Sequence, residues 1–133
     1  MKAALALLAA LAFAAPLSTL APRPALAQMD AGWDRKQEAE LQALDKVTAR
    51  ITLLQARLNQ PITFGTLRIT VKACNARPPE EVPDAAAWLQ VEDLRDTGNT
   101  AGRIVFQGWM FANAPGVAML EHPVYDLRVL SCR

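Results

Sequence analysis

The chain has 133 residues, with 14 basic and 13 acidic side chains and 52% hydrophobic residues. A near-neutral chain of this length makes one domain and carries neither the electrostatic footprint of a nucleic-acid binder nor a polybasic patch for anionic lipid. Two cysteines and one histidine fall short of the three or four closely spaced ligands of a zinc site, and no Cys-x-x-Cys pair supports thioredoxin-type chemistry. Neither a metal nor a cofactor is expected.

The chain opens on Lys2 and an unbroken apolar run, Ala3–Ala15, followed by the Pro-rich stretch Pro16–Pro24 and the small residues Ala25 and Ala27. As a helix the apolar run would be about 20 Å long, short of a hydrocarbon core of about 30 Å. It therefore reads as the h-region of a signal peptide (residues 1–27) cleaved after Ala27, which predicts export to the periplasm and no stable membrane span after cleavage. No cysteine follows the cleavage site, so a lipoprotein anchor is not expected. Loss of Lys2 and Arg23 with the leader leaves 12 basic and 13 acidic side chains.

Residues 28–45 are read as an N-terminal arm, partly helical, because Asp34–Asp45 is rich in Gln, Glu, Ala, Leu and Lys. The β domain follows over 46–133. Val47, Ala49, Ile51 and Leu53 alternate with polar residues as a half-buried strand should, and Asn59-Gln60-Pro61 breaks that strand. Phe64-Gly65 suggests a tight turn, and Leu67, Ile69, Val71 and Ala73 then alternate with Arg68, Thr70, Lys72 and Cys74. Asn75–Asp84, with three prolines, is a surface loop. Further strands are predicted over Ala87–Leu94, over Arg103–Phe111 with Gly108 marking a bulge or a close approach, and over Val124–Cys132; Asn113–Glu121 has room for one helical turn starting near Pro115. The fold class is mainly β: a small antiparallel sandwich or barrel of about five strands with a short helical arm.

The exported compartment favours a Cys74–Cys132 disulfide, which closes a long loop and restricts the unfolded chain by about 4 kcal/mol in the chain-entropy model. Strict alternation puts Cys74 with Arg68, Thr70 and Lys72, and Cys132 with Asp126, Arg128 and Leu130. The bridge is therefore expected near the surface, between neighbouring strands.

Catalytic residues are scarce. After the leader the chain holds one serine, Ser131, and one histidine, His122, with Asp126 as the sequence-adjacent acid. Strand alternation sends Ser131 and Asp126 to opposite faces, and there is no Gly-x-Ser-x-Gly elbow, so a triad is not expected and His122 is read as setting the approach to the last strand. Glu80-Glu81 lies in the Pro-rich loop and Glu92, Asp93 and Asp96 at a strand end, so all five read as solvated charges. Arg68, Lys72 and Arg128 form a polar sheet face able to meet an anionic envelope component, with a solvated face as the simpler reading.

The aromatic run is the more telling signal. Trp109-Met110-Phe111 leads into Ala112-Asn113-Ala114-Pro115-Gly116, and three successive large apolar side chains cannot all face inward from a regular strand. At least one of the three therefore lies near an edge, bulge or interface. Trp109, Met110, Phe111, Asn113 and Pro115 are the candidate interaction surface, although core packing is the commoner fate of a residue such as Trp109. Trp33 in the arm is a further exposed candidate, and Trp88 a further platform for stacking on a sugar ring.

The segments Leu44–Arg50 (LDKVTAR), Phe64–Cys74 (FGTLRITVKAC), Arg77–Glu80 (RPPE), Gly108–Ala112 (GWMFA) and Leu120–Asp126 (LEHPVYD) keep an order that resembles one family of exported bacterial proteins, the domain-of-unknown-function family 2155. The resemblance runs from about Leu41 to Cys132 and includes both cysteines. It implies a signal peptide and no particular activity, substrate or catalytic residue. The family's closing strand often carries an aromatic and an acid where this chain has Arg128 and Ser131, which argues against assigning those two a role. The reading that results is a periplasmic, non-enzymatic protein-interaction domain with an envelope protein as partner. A module binding cell-wall glycan or a small ligand is the alternative, and a hydrolase is the least favoured.

Overall fold

The structure is a computed structural model that describes residues 32–95 and 102–133. Residues 1–31, with the predicted signal peptide, and residues 96–101, within the predicted turn cluster, lie outside the described residues. In chain order the strands are β1 (Asp34–Lys36), β2 (Glu38–Asp45), β3 (Arg50–Arg57), β4 (Ile62–Phe64), β5 (Leu67–Ala76), β6 (Ala85–Asp93), β7 (Arg103–Phe111) and β8 (Tyr125–Cys132). They form two antiparallel sheets. In the larger, β5, β6 and β7 follow one another, and β1 and β4 share the other edge of β5; the smaller runs β3-β2-β8. The arrangement is a sandwich and not a closed barrel.

The helical arm is corrected to strand over Asp34–Asp45. Ala39, Leu41 and Ala43 are buried and alternate with Glu38, Glu40, Gln42 and Leu44, a period of two. Alanine at two of the three inward positions hides this pattern when only large apolar residues are counted. Pairing with β3 on one side and β8 on the other then overrides the helical propensity of the segment.

The next strand begins later than its alternation suggests and is inverted. Residues 46–49 are a turn in which Asp45 Oδ1 accepts the Val47 and Thr48 amides at 2.9 and 3.1 Å, and Ala49 takes a φ of +54°. This turn consumes the first half of the apolar pattern. Leu54 and Ala56 face the core, whereas Ile51 and Leu53 lie on the outer face with Leu44. Residues 113–121 form turns with no helix.

The core lies between the sheets and draws on Leu67, Ile69 and Val71 of β5, Ala87, Leu89 and Val91 of β6, Met110 of β7, and Leu127 and Val129 of β8. Bulges interrupt three ladders. Lys72 is skipped between the Val71↔Leu89 and Ala73↔Trp88 pairs, Leu130 between Ser131↔Glu40 and Val129↔Leu41, and Val105 between Phe106↔Val91 and Ile104↔Glu92. The bulge in β7 is thus at Val105 and not at Gly108, which pairs with Leu89.

The bulges at Lys72 and Leu130 correct the expected setting of the cysteines. Each shifts the phase of its strand by one residue just before the cysteine, so Cys74 rejoins the face of Leu67, Ile69 and Val71, and Cys132 that of Leu127 and Val129. Both sulfurs are buried, at disulfide distance, with Cα atoms 5.6 Å apart. They link β5 to β8 across the two sheets, where a surface bridge between neighbouring strands was expected.

Candidate functional site

The outer face of the larger sheet carries aromatic side chains that the core does not use. Cross-strand pairing lines up Trp88 with Trp109 in one row and Ala86 with Phe111 in the next. On β5 those rows continue as Ala73 and Asn75, and on β1 the second ends at Arg35. The small residues Ala73, Asn75 and Ala86 therefore form a floor between Trp109 and Phe111 on one side and Trp33 and Arg35 on the other. The result is an open trough of about 710 Å³ that continues round the β1 edge past Lys36 and Gln37 to Leu58.

Trp33 is held in this wall by Arg77. The guanidinium lies 4.3 Å from the ring centroid, donates to the Gly32 carbonyl at 3.1 Å and sits 3.3 Å from Glu81. Gly32 has a φ of +112°, a conformation that suits glycine alone.

The trough is electrostatically one-sided. Its lining holds Arg35, Lys36 and Lys72 and no carboxylate. Lys36 is 3.5 Å from Asp34, Lys72 lies close enough to Glu92 to help hold that carboxyl below its ordinary range, and Arg35 has no ion-pair partner among the described residues. Lys72 is exposed because it is the bulged residue of β5.

The residues singled out from the sequence separate by face. Trp109 is 39% exposed and Phe111 half-buried, both on the outer face, whereas Met110 between them is 2% exposed and packs in the core. Asn113 donates from its backbone amide to Asp84 Oδ1 at 3.1 Å and from its side chain to the Pro83 carbonyl at 2.7 Å, which pins the end of β7 to the start of β6. Pro115 is exposed on the following loop. Arg68 and Arg128 do not share a face, since they project from the outer sides of different sheets. Arg68 makes a two-pronged pair with Glu92 at 2.8 and 3.0 Å, and this guanidinium holds the Glu92 carboxyl below its ordinary range.

Ser131, His122 and Asp126 do not come together. Ser131 Oγ donates to Glu40 Oε2 at 3.1 Å, and Asp126 Oδ1 accepts the Leu127 amide at 2.9 Å. His122 turns instead to Asp93, a residue the sequence suggested was a solvated strand-end charge. Asp93 occupies the next inward position after Leu89 and Val91 on β6 and is 3% exposed. An acid continuing an apolar alternation was the signal that it is buried.

The geometry around this pair is closed. His122 Nδ1 accepts the Val124 and Tyr125 amides, each at 3.1 Å, so the proton belongs on Nε2, which donates to Asp93 Oδ2 at 3.0 Å. Arg95 Nη2 reaches the same oxygen at 2.8 Å and lies 2.9 Å from Nε2, two donors converging on one acceptor. The Arg95 hydrogen bonds hold the Asp93 carboxyl far below the usual carboxylate range against the opposing effect of burial, with His122 adding to them. Thr66 contributes weakly, since its buried hydroxyl makes no hydrogen bond of ordinary geometry. The His122 ring stacks on Tyr125 at 5.2 Å, and Tyr125 meets Phe64 edge-on at 5.4 Å. The constellation clasps the end of β6 to the start of β8, and none of its residues lines the trough.

Among the described residues, no group of three or more His, Cys, Asp or Glu side chains could hold a metal ion, and no helix is long and apolar enough to cross a membrane. A model of the family described as "Uncharacterized protein conserved in bacteria (DUF2155)" matches residues 39–132. "Uncharacterized protein RP359" of Rickettsia prowazekii (strain Madrid E) is 22% identical over 113 residues, covering 82% of this chain and 72% of that protein. No solved structure matches the chain significantly.

Proposed function

The chain belongs to the bacterial family DUF2155, and from that premise we propose that it is an exported, non-enzymatic β domain that docks a protein of the cell envelope through the trough on its larger sheet. One observation carries this reading: Trp33, Trp109 and Phe111 stand around a small-residue floor on a face that the sandwich core does not need. Large aromatic residues beside a recessed floor are the usual anchors of a protein interface. The apolar leader Met1–Ala27 supports export, and a buried inter-sheet cysteine pair suits an oxidising compartment. The separation of Ser131, Asp126 and His122 supports a role without nucleophilic catalysis.

In-cell photo-cross-linking tests the reading. A photoreactive residue at Gln107, exposed on the same face as Trp109, should give a discrete adduct with one envelope protein, and the same residue at Thr48 on the β2–β3 turn should not. Equal labelling from both positions, or none from Gln107 in folded and exported protein, removes the trough as an interface.

A glycan-binding module is the second reading, favoured by the exposed face of Trp109 beside polar Asn75 and Gln37. Saturable quenching of tryptophan fluorescence by peptidoglycan fragments, lost in Trp109→Ala, would support it in place of the first.

A further inference from the structure

We infer that the partner presents an extended segment in which apolar and acidic side chains alternate. This inference rests on the trough being the docking surface and names the chemistry of what fills it. The two walls differ in charge: Trp109 and Phe111 stand on β7, whereas β1 carries Arg35 beside Trp33, with Lys72 between the walls on the β5 bulge and Lys36 round the edge opposite Cys74. β1 and β7 are separated by β5 and β6, so the walls are roughly 14 Å apart, three strand spacings of about 4.8 Å. That width admits one extended chain with side chains to both sides, and the floor of Ala73, Asn75 and Ala86 lets its backbone lie close to the sheet.

Side chains of an extended chain point alternately to opposite sides. A segment lying along the strands therefore turns every second residue to the aromatic wall and the others to the cationic wall. Apolar residues fit the first, and carboxylates fit the second. Three cations and no carboxylate line the trough of a chain that is nearly neutral overall. Arg35 has no ion-pair partner among the described residues, while Lys72 has the Glu92 carboxylate only as a neighbour on the same face. The segment supplies the carboxylates that the lining lacks.

The test uses three fluorescein-labelled eight-residue peptides that alternate Leu with Glu, Leu with Lys, or Ser with Glu, titrated with the folded protein by fluorescence polarisation. The Leu/Glu peptide should bind at least tenfold tighter than either other peptide, and its affinity should fall with added salt. Arg35→Glu/Lys72→Glu should lower that affinity tenfold or more and raise affinity for the Leu/Lys peptide. Trp109→Ala should weaken the Leu/Glu peptide without changing which charge is preferred. Circular dichroism on each variant keeps a folding defect from passing as a binding defect. Equal binding of all three peptides, indifference to the charge reversal, or binding of peptidoglycan fragments in place of the Leu/Glu peptide overturns the inference. If the Gln107 adduct is specific while the Leu/Glu peptide does not bind, the segment chemistry is wrong and the docking surface stands. Loss of the adduct itself removes the docking surface.

Discussion

His122 and Asp93, 29 positions apart in the chain, meet at 3.0 Å through Nε2 and Oδ2. The same imidazole accepts the Val124 and Tyr125 amides on its other nitrogen, so one side chain joins the end of β6 to the first residues of β8. Because both side chains are buried, removing either strands polar groups out of water.

His122→Ala should therefore destabilise the domain by about 3 kcal/mol, and Asp93→Ala by a similar amount, since the latter leaves Arg95 and His122 without their shared acceptor. Urea unfolding followed by tryptophan fluorescence measures both. The double variant should cost much less than the sum, because the two residues share one network. Additive losses would mean that the pair is not coupled.

The Asp93 carboxyl also sets an acid limit. Its folded-state value is depressed from an ordinary 3.8, with the Arg95 hydrogen bonds as the largest cause. The stability it contributes is thus fully present above about pH 4 and is lost as pH falls below 3.8 toward the folded value. Asp93→Asn should be less stable than the parent at pH 6, and the gap should narrow steadily between pH 4 and pH 2. A gap of constant size across that range would show that Asp93 carries no such linkage.

At Gly65 the backbone has a φ of +57°, and an added Cβ would collide with the Tyr125 hydroxyl and ring. Gly65→Ala should cost about 2 kcal/mol or more through the conformation and the collision together. Pairing it with Tyr125→Leu should recover part of the loss in a thermal melt. No recovery would place the whole effect in the backbone.

Adjacent residues of β7 should behave oppositely. Met110→Ala empties a core position and should cost about 2–4 kcal/mol, whereas Trp109→Ala on the outer face should cost about 1 kcal/mol or less. Equal costs at the two positions would mean that Trp109 belongs to the packing of the sandwich, and its availability to a partner would fall with it.

The mainly β character was legible because Leu67–Val71 and Val124–Cys132 carry large β-branched or aromatic residues at alternating positions. Family membership followed from ordered fragments along most of the chain. Counting faces, by contrast, showed only that Trp109, Met110 and Phe111 cannot all point inward; core packing was the commoner expectation for Trp109, and its pairing with Trp88 sets it on the outer face. The first strands were not legible, since Ala39 and Ala43 are too small to announce an inward face and their neighbours favour helix. Asp93 was passed over because a carboxylate at a strand end is usually solvated, and its partners Arg95 and His122 reach it only through the tertiary fold. The register of the cysteines depended on bulges at Lys72 and Leu130, and neither residue type marks a bulge.

Those two bulges make the covalent link depend on irregular strand geometry and not on chain length. Excising Lys72 would close the ladder from Val71↔Leu89 directly to Ala73↔Trp88 and leave Cys74 opposite Ala87, facing inward; excising Leu130 would likewise leave Cys132 opposite Ala39. Drawing Lys72 or Leu130 into the regular alternation, with the residue retained, would instead turn the following cysteine to the outer face of its sheet while the other sulfur stayed within. The sandwich therefore carries a parity condition: the crosslink survives loss of either bulged residue, but flattening a bulge separates the two sulfurs.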